Sequence, residues 1–359
     1  MMKNILYVFN PGRKARLSSD IAGPEDFFYG YGTFKKKGYS TELLELSEKP
    51  NVTLLPIFKI LRKLSKIPIY TEKLVSIDNI KKIFHSDTII ATNQNVGYSL
   101  FPLLLILRFV KKFNFLILSM GMIENINNKW FNKLIINKTI HLSKKIIVIS
   151  KNEIIKARKL FPKYFDKFIY IPFCIDTNFW TSESKTTQKN KVLFIGNDKF
   201  RDYLFLEKLA LAMPEINFTF LTTNISSTKC ANINLINGRW NDSKFSDTDV
   251  RQLYEENYIT ILPLLESYQP SGQSVALQSM SMGVPVLITE TAGFWDTELL
   301  ISNENIILVE KNDVNLWKRT ITDLISNKTM YKKIANNGKK IVSEQFNLDE
   351  FIEQISKLV

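Results

Sequence analysis

The chain has 359 residues, of which 45% are hydrophobic and 23% charged, so it has the composition of a soluble globular protein and enough length for two domains. Lys and Arg number 48 against 35 Asp and Glu, a net charge of +13, which favours anionic partners such as phosphorylated metabolites, anionic membranes or nucleic acid. Cys174, Cys230, His85 and His141 are too few and too scattered for a disulfide framework or a zinc site. We therefore expect a reducing, cytoplasmic location and no metal.

The first half of the chain predicts alternating strands and helices. Helix-length amphipathic segments, such as Glu25–Lys37 and Asn152–Phe161, separate short apolar runs. Alternation at this spacing predicts a parallel, doubly wound sheet. The expected strands are Lys3–Phe9, Ser40–Leu46, Thr88–Thr92, Phe115–Ser119, Ile146–Ile149 and Phe168–Pro172.

Two apolar segments raise the question of export or membrane insertion. Lys3–Phe9 is much shorter than the core of a secretory signal. Leu100–Leu118 is interrupted by Arg108, Lys111 and other polar residues. It therefore predicts a helix, a turn and a strand rather than a membrane span.

Residues 57–66 read IFKILRKLSK and combine apolar and basic residues at helical spacing. Ile57, Leu61 and Leu64 share one face, with Phe58 near it. The basic residues Lys59, Arg62, Lys63 and Lys66 lie on the opposite face. This pattern is typical of a helix that lies on an anionic membrane surface. An ordinary amphipathic helix that packs on its own domain explains it equally well.

A second alternation begins at Lys191, after the polar stretch Thr181–Asn190, which is the best candidate for a linker. It predicts a second α/β sheet of similar size. The expected strands are Val192–Ile195, Phe218–Thr222, Asn234–Asn237, Thr260–Leu264, Val286–Thr289 and Ile306–Val309, and the expected helices are Leu204–Met213, Val250–Glu256, Gln273–Met282 and Val314–Ser326.

Two Rossmann-like domains in one chain usually face each other across a cleft. In such sheets ligands bind outside the carboxyl ends of the strands. The loops that follow Phe9, Thr92, Ser119, Ile195 and Leu264 are therefore expected to converge on the cleft.

The segment Gln269–Thr289 is the most informative part of the sequence. It follows the apolar run Tyr258–Leu265, begins a helix with small and hydroxyl residues, and ends that helix at Gly283 before another apolar strand. A Ser/Gly turn before a helix leaves backbone N–H groups free, and the helix dipole adds positive charge there. The segment therefore predicts a site for a phosphate or diphosphate.

Ordered blocks over roughly the last 220 residues resemble glycosyltransferase family 4, of the retaining GT-B type. Leu277–Val286 resembles the family's LEAMACGxPVV stretch, and Thr289–Asp296 resembles the loop after it. Further blocks that resemble the family are Ile146–Ser150, Ile171–Phe179 (IPFCIDTNF), Asn303–Val309 (NENIILV) and Tyr331–Phe346. The first half of the chain resembles the family only in its strand–helix layout.

The chain departs from the family pattern at three places. Pro270 and Gln278 stand where the family has two glutamates separated by seven residues, and the Pro-Ser-Gly-Gln-Ser motif looks like that of a sub-branch. Asn197 and Arg201 stand where the family often has a basic pair. The family's histidine in an N-domain loop has no counterpart in Ser119–Met122.

The resemblance implies an α/β protein of the GT-B fold, with two facing Rossmann-like domains, parallel sheets and an interdomain cleft. We expect an acceptor-binding domain over residues 1–172, a nucleotide-sugar-binding domain over 173–345 and a C-terminal helix over 346–359 that packs back on the first domain. The reaction type demands neither a catalytic triad nor a cofactor, and none is expected.

The resemblance places the diphosphate contact on Arg201, with Lys199 beside it, because a guanidinium matches phosphate oxygens. A solvated loop arginine is the alternative. Gly196 and Asn197 follow the same strand and are expected at the nucleotide sugar. The helix start, which consists of Ser271, Gly272, Gln273 and Ser274, is expected to contact the ligand or to serve only as an ordinary helix cap.

Three further residues of the second half are candidates. The resemblance directs Gln278 toward the ribose, where an amide can accept one hydrogen bond and donate another. Trp240 is expected near the base, with a structural tryptophan as the alternative. Glu266 has the wrong spacing for the missing glutamate, and the alternative is a carboxylate at the cleft edge.

In the first half, Gly12 follows the first strand and Gly23 precedes a helix start. Both are expected in a loop that closes over donor or acceptor, with a flexible basic loop as the alternative. Glu25 or Asp26 is expected to orient an acceptor hydroxyl.

The expected function is transfer of a sugar, with retention, from a nucleotide diphosphate sugar to a glycan or lipid-linked acceptor in bacterial surface polysaccharide or lipopolysaccharide synthesis. The expected location is the cytoplasm, at the inner face of the membrane. A nucleotide-sugar epimerase and a non-catalytic sugar-nucleotide-binding GT-B subunit are the alternatives. Nucleic acid is not an expected partner, because no recognition motif accompanies the charge.

Overall fold

Residues 3–17, 23–127, 129–182, 188–238 and 245–359 are described by the structure, a computed structural model. The chain divides into one unit made of Met1–Pro172 with Phe351–Val359 and a second unit, Phe173–Glu350. Each described unit is built on a six-stranded parallel sheet flanked by helices. The predicted α/β fold class with two Rossmann-like domains is confirmed. The predicted linker, Thr181–Asn190, falls in the residue range of the second unit, and its residues 183–187 lie outside the described residues.

The sheet of the first unit has the order β2-β1-β3-β4-β5-β6, with all neighbours parallel. Its interior strands are apolar on both faces, since helices cover both. Leu6, Tyr7 and Val8, for example, have no exposed surface. The strands are β1 (Asn4–Phe9), β2 (Ser40–Glu45), β3 (Thr88–Ala91), β4 (Asn114–Ser119), β5 (Lys145–Val148) and β6 (Phe168–Tyr170).

The helices of the first unit lie between these strands. They are α1 (Arg13–Leu17), α2 (Tyr31–Lys36), α3 (Leu55–Ser65), α4 (Ile77–His85), α5 (Gln94–Leu107), α6 (Trp130–Leu142) and α7 (Lys151–Leu160). Leu100–Leu118 spans the end of α5, a turn and β4, as predicted. In the described part of the chain, no helix has both the length and the apolar character needed to cross a bilayer.

The predicted helix Glu25–Lys37 is broken in the middle. A 3-10 turn over Asp26–Phe28 ends at Tyr29, and α2 begins after Gly30. Tyr29 and Gly30 have φ values of 50° and 83°, which no α-helix accommodates. A Cβ on Gly30 would lie 2.7 Å from Ile352 Cγ1, so the packing of the C-terminal residues requires glycine there.

The second unit repeats the architecture with the order β12-β11-β10-β7-β8-β9. Its strands are β7 (Lys191–Ile195), β8 (Asn217–Leu221), β9 (Ile233–Ile236), β10 (Ile259–Leu262), β11 (Val286–Thr289) and β12 (Ile307–Val309). Its helices are α8 (Tyr203–Ala212), α9 (Asp247–Glu256), α10 (Gln273–Ser281), α11 (Val314–Ser326) and α12 (Lys328–Gln345). The last helix, α13 (Leu348–Ser356), belongs to the first unit from Phe351 onward.

The small residues of α10 let it lie close to the sheet. The Ser279 hydroxyl donates to Val284 O at 3.0 Å and lies 2.8 Å from the Thr260 hydroxyl of β10. Because α10 is fixed in this way, its first turn stands at the carboxyl end of β10. The predicted strand–turn–helix arrangement is therefore present.

Candidate functional site

The loops after β7 and β10 are joined by backbone hydrogen bonds. Leu265 N donates to Phe200 O at 2.8 Å, and Asp202 N donates to Pro263 O at 3.0 Å. Arg201 and Leu264 form an isolated antiparallel bridge between them. β7 and β10 are neighbours in the sheet, so the two loops meet at its carboxyl edge, where ligands of such sheets bind.

The Arg201 side chain is packed between two glycines. A Cβ on Gly196 would lie 2.6 Å from Arg201 Nε, and a Cβ on Gly272 would lie 2.7 Å from its Nη1. Both positions therefore need glycine for the guanidinium to fit. Arg201 is only 4% exposed, so the alternative of a solvated loop arginine is excluded.

The donor atoms of the Arg201 guanidinium do not all have a hydrogen-bond partner among the described residues. Its Nε lies 2.9 Å from Asp198 Oδ2, and the two side chains form an ion pair. Its Nη1 is buried and has no hydrogen-bond partner among the described residues. A buried donor without an acceptor costs about 1–3 kcal/mol, and more when it is charged. Arg201 Nη1 can therefore donate a hydrogen bond to a bound anion.

The start of α10 lies against this guanidinium. Its N-cap, Gly272, has φ 82° and provides no side-chain cap, whereas other helices are capped by side chains such as Ser76 and Asp313. Gly272 therefore supplies no side-chain acceptor to the first-turn N–H groups of α10. Together with the helix dipole, they can hold a phosphate oxygen.

The other residues of the predicted helix start differ in exposure. The Ser271 hydroxyl donates to Asp198 Oδ1 at 3.3 Å, so it supports the Asp198–Arg201 pair. Gln273 is buried and Ser274 is half-buried. Asp198 was not a sequence candidate.

Asn197 connects three loops at the same edge. Its Nδ2 donates to Gly238 O at 3.1 Å, and its Oδ1 accepts from Thr223 N at 2.6 Å and from the Thr222 hydroxyl at 3.2 Å. Its amide is therefore engaged in positioning the loops after β7, β8 and β9. Lys199 is exposed, with Nζ 4.7 Å from the centroid of the Phe200 ring.

The structure places Gln278 inside the second unit. It is 5% exposed, and its Oε1 accepts from the Tyr254 hydroxyl at 3.2 Å. Tyr254 packs edge-on against the buried Trp180. Contact of Gln278 with a ribose stays a prediction, and Trp240 lies outside the described residues.

Glu266 holds the loop that follows β11. Its Oε1 accepts from Ala292 N at 2.8 Å. A Cβ on the adjacent Gly293 would lie 2.6 Å from Gln269 O, so this loop packs tightly against the segment before α10. Glu266 thus positions the loop after β11, which packs against the segment that leads into α10.

The predicted residues of the first unit are held within that unit. The Glu25 carboxylate pairs with Lys36 Nζ at 3.2 Å and accepts from the Thr33 hydroxyl at 3.3 Å. Asp26 has no exposed surface. The structure therefore does not present Asp26 as an accessible carboxylate. Gly12 has φ 101° with open space around it, and Gly23 is exposed.

A buried acid that sequence reasoning missed lies below the Ser119–Met122 loop. Glu153, in the first turn of α7, has no exposed surface, and its Oε1 accepts from the Ser119 hydroxyl at 3.2 Å. Burial raises the pKa of Glu153 to about 8, although hydrogen bonding to Ser119 and to the backbone of the loop offsets part of the rise. Burial and the nearby Glu153 charge also raise the pKa of Tyr98.

Sequence comparison finds a family match within the second unit. Residues 190–327 match the family model described as glycosyl transferases group 1. An uncharacterized glycosyltransferase of Methanocaldococcus jannaschii is 32% identical over 84 residues, which are 23% of each chain. The capsular polysaccharide biosynthesis glycosyltransferase CapM of Staphylococcus aureus is 23% identical over 31% of this chain and 28% of its own. The matches thus span about a quarter of these relatives' lengths.

Solved structures share the fold over the whole chain. HepE of Anabaena, in complex with UDP and glucose, superposes with a TM-score of 0.68 at 13% identity and 99% coverage of both chains. Sucrose-phosphate synthase of Thermosynechococcus elongatus superposes with a TM-score of 0.70 at 14% identity, over 99% of this chain and 98% of its own. At such identities the likeness shows the fold alone. Residues 190–327, which carry the Arg201 site, therefore match the family model of the glycosyl transferases group 1.

Proposed function

We propose that the chain is a retaining glycosyltransferase that moves a sugar from a nucleotide diphosphate sugar to a glycan or lipid-linked acceptor. The second unit takes the donor, and the first unit takes the acceptor. Two findings support a nucleotide diphosphate sugar as donor. One is the group 1 family match over residues 190–327, and the other is that HepE, which shares the fold, is solved with UDP and glucose.

The observation that carries this proposal is the Arg201 guanidinium beneath the uncapped start of α10. A buried cation with a free Nη1 and a helix N-terminus together favour an anion. A diphosphate fits this chemistry, because planar guanidinium donors match phosphate oxygens in two-point contacts. Gly196 and Gly272 supply the space that the guanidinium needs.

The proposed sugar transfer depends mainly on stabilisation of the departing diphosphate. The bond between the anomeric carbon and the phosphate oxygen breaks, and the acceptor oxygen forms its bond to that carbon on the same face. The acceptor proton passes to the departing phosphate oxygen. Arg201 and the first-turn N–H groups of α10 stabilise the negative charge that develops on the diphosphate. Asp198, Ser271 and Asn197 hold the loops in place.

On the acceptor side, the proposal assigns the Ser119–Met122 loop and Gly12 to the surface that meets the acceptor, because both follow strands at the carboxyl edge of the first sheet. The surface polysaccharide context is supported by the partial match to CapM of S. aureus, a capsular polysaccharide enzyme. A cytoplasmic site at the inner face of the membrane completes the proposal.

The first test is a thermal-shift panel with UDP, GDP, ADP, CMP and TDP, since a ligand that binds only the folded state raises the melting temperature. One diphosphate should stabilise the wild type and the Arg319→Ala control, which removes an exposed arginine of α11, but not Arg201→Ala. The matching UDP- or GDP-sugar is then assayed for release of the diphosphate. Equal stabilisation of Arg201→Ala would contradict the assigned site.

A non-catalytic sugar-nucleotide-binding subunit is the second candidate. It is favoured by Pro270 and Gln278 in place of the two glutamates, and by the engagement of Gln278 Oε1 with Tyr254. Diphosphate binding without any release from the donor sugar, with acceptor glycans present, would favour this candidate.

A further inference from the structure

Helix α3 has two apolar stripes, of which only one faces the protein. Phe58 and Leu61 pack against the core of the first unit, and Ser65 is buried. The second stripe consists of Ile57, Ile60 and Leu64, which are 55–61% exposed. The spacing of three and four residues puts these three on one face of the helix.

The basic residues of α3 also divide into two groups. Arg62 turns inward, where its Nη1 donates to Glu72 Oε1 at 2.7 Å and its guanidinium lies over the Tyr70 ring. Lys59, Lys63 and Lys66 are exposed. The face predicted from helical spacing is therefore divided, because Leu61 packs on the core while Ile57 and Leu64 are exposed. Arg62 of the predicted basic face pairs with Glu72. The exposed surface is Ile57, Ile60 and Leu64 with three lysines beside it.

A second helix of the first unit, α6, has exposed side chains of the same kinds. The two helices are in contact, and Asn132 Nδ2 of α6 donates to Ser65 O at the end of α3, at 2.9 Å. On α6, Trp130 is 74% exposed and Leu134 is 40% exposed, with Lys129 and Lys133 exposed beside them. Buried Asn132, Ile135 and Ile136 occupy the opposite side of the helix.

The charge on this pair of helices has one sign. Residues 52–66 and 129–142 contain no Asp or Glu, so the exposed lysines of both segments have no acid of their own segment to pair with. Apolar side chains flanked by lysines, with a tryptophan at the edge, match the headgroup region of an anionic bilayer. Each basic residue near such a surface contributes about 1 kcal/mol.

We infer that Ile57, Ile60, Leu64, Trp130 and Leu134, with their flanking lysines, form a docking surface for an anionic lipid bilayer. It is called the α3–α6 surface below. α3 follows the carboxyl end of β2 and Trp130 begins a helix that follows β4, so the surface lies toward the edge where the first unit is proposed to take its acceptor. The inference rests on the proposed function only for that acceptor, which would then be lipid-linked.

Vesicle co-sedimentation of the whole chain tests the inference without any sugar donor. The wild type should pellet with phosphatidylcholine vesicles that contain phosphatidylglycerol, and should remain in the supernatant with phosphatidylcholine alone or at high salt. Lys59→Gln with Lys63→Gln should weaken partitioning roughly 30-fold, at about 1 kcal/mol for each lysine. Trp130→Phe should abolish a blue shift of tryptophan emission that anionic vesicles cause in the wild type.

The matched control is Lys208→Gln with Leu211→Ser, two exposed residues of α8 in the second unit, which should bind vesicles like the wild type. Circular dichroism verifies that each variant is folded. If the folded wild type does not bind anionic vesicles but still binds its diphosphate, the membrane-docking role of the α3–α6 surface is refuted. The proposed function is then unaffected. Concentration-dependent dimerisation that the double lysine variant abolishes would assign the surface to self-association instead.

Discussion

The buried acid Glu153 makes the stability of the first unit depend on pH, and Glu153→Gln should remove that dependence. Burial raises the pKa of Glu153 from 4.5 to about 8. The folded state thus holds a proton that the unfolded chain releases above about pH 4.5. The stabilisation is fully present below that pH and is lost as the pH rises through about 8.

The size of the effect follows from the two pKa values of Glu153. At about 1.4 kcal/mol for each pH unit, the rise from 4.5 to about 8 amounts to roughly 5 kcal/mol across the full range. From about pH 5 to about pH 8 we expect the wild type to lose about 3 kcal/mol more than Glu153→Gln. A glutamine keeps an oxygen for the Ser119 hydroxyl and carries no charge at any pH.

Urea unfolding at a series of pH values, fitted to the transition of the first unit, measures this difference. Glu48→Gln, which changes an exposed acid of the same unit, should follow the wild type. The curves of the wild type and Glu153→Gln should converge toward acid pH and separate toward alkaline pH. Equal pH dependence of the wild type and Glu153→Gln would refute the reasoning.

Three further substitutions test the packing around the Arg201 site and behind the α3–α6 surface. Gly272→Ala places a Cβ 2.7 Å from Arg201 Nη1 at a φ of 82°, so it should cost about 1–3 kcal/mol in thermal unfolding and abolish the diphosphate-induced shift in melting temperature. Asn197→Ala removes hydrogen bonds to three loops and should weaken diphosphate binding in calorimetry, whereas Asn337→Ala, outside the site, should not. Arg62→Met leaves the buried Glu72 without its ion-pair partner and should cost about 3–5 kcal/mol in urea unfolding; a loss below about 1 kcal/mol would contradict the assigned pair.

Local patterns predicted the strands well, because the interior strands are apolar runs, and several of them end at or just before a polar or glycine residue. Val286–Thr289 and Val314–Ser326 were predicted with the bounds that the structure has. The break at Tyr29 and Gly30 was not predictable, since it depends on contact with Ile352, more than three hundred residues away. The spacing of apolar residues within one segment carries no information about such long-range packing.

The site was predictable in part for the same reason. The helix start of α10 follows from the local sequence Pro270–Ser274 and was predicted, whereas the sequence left open whether a serine caps it, and the structure has Gly272 at the N-cap. The burial of Arg201 depends on glycines in two separate loops, and the engagement of Gln278 depends on Tyr254 in another helix. Glu153 was missed because an acid in the first turn of a helix is an ordinary dipole partner. Its contacts with the Ser119–Met122 loop, which is about thirty residues away in sequence, are not visible in the local pattern.

The central claim is that Arg201 binds the diphosphate of the donor, and calorimetry of one nucleotide pair tests it most directly. The diphosphate that stabilises the wild type and its nucleoside without phosphates are titrated into the wild type and into Arg201→Ala. We expect the wild type to prefer the diphosphate, and Arg201→Ala to lose roughly 30-fold or more in affinity for the diphosphate, equivalent to at least about 2 kcal/mol, while its affinity for the nucleoside is unchanged. A diphosphate preference that survives the loss of the guanidinium would contradict the claim.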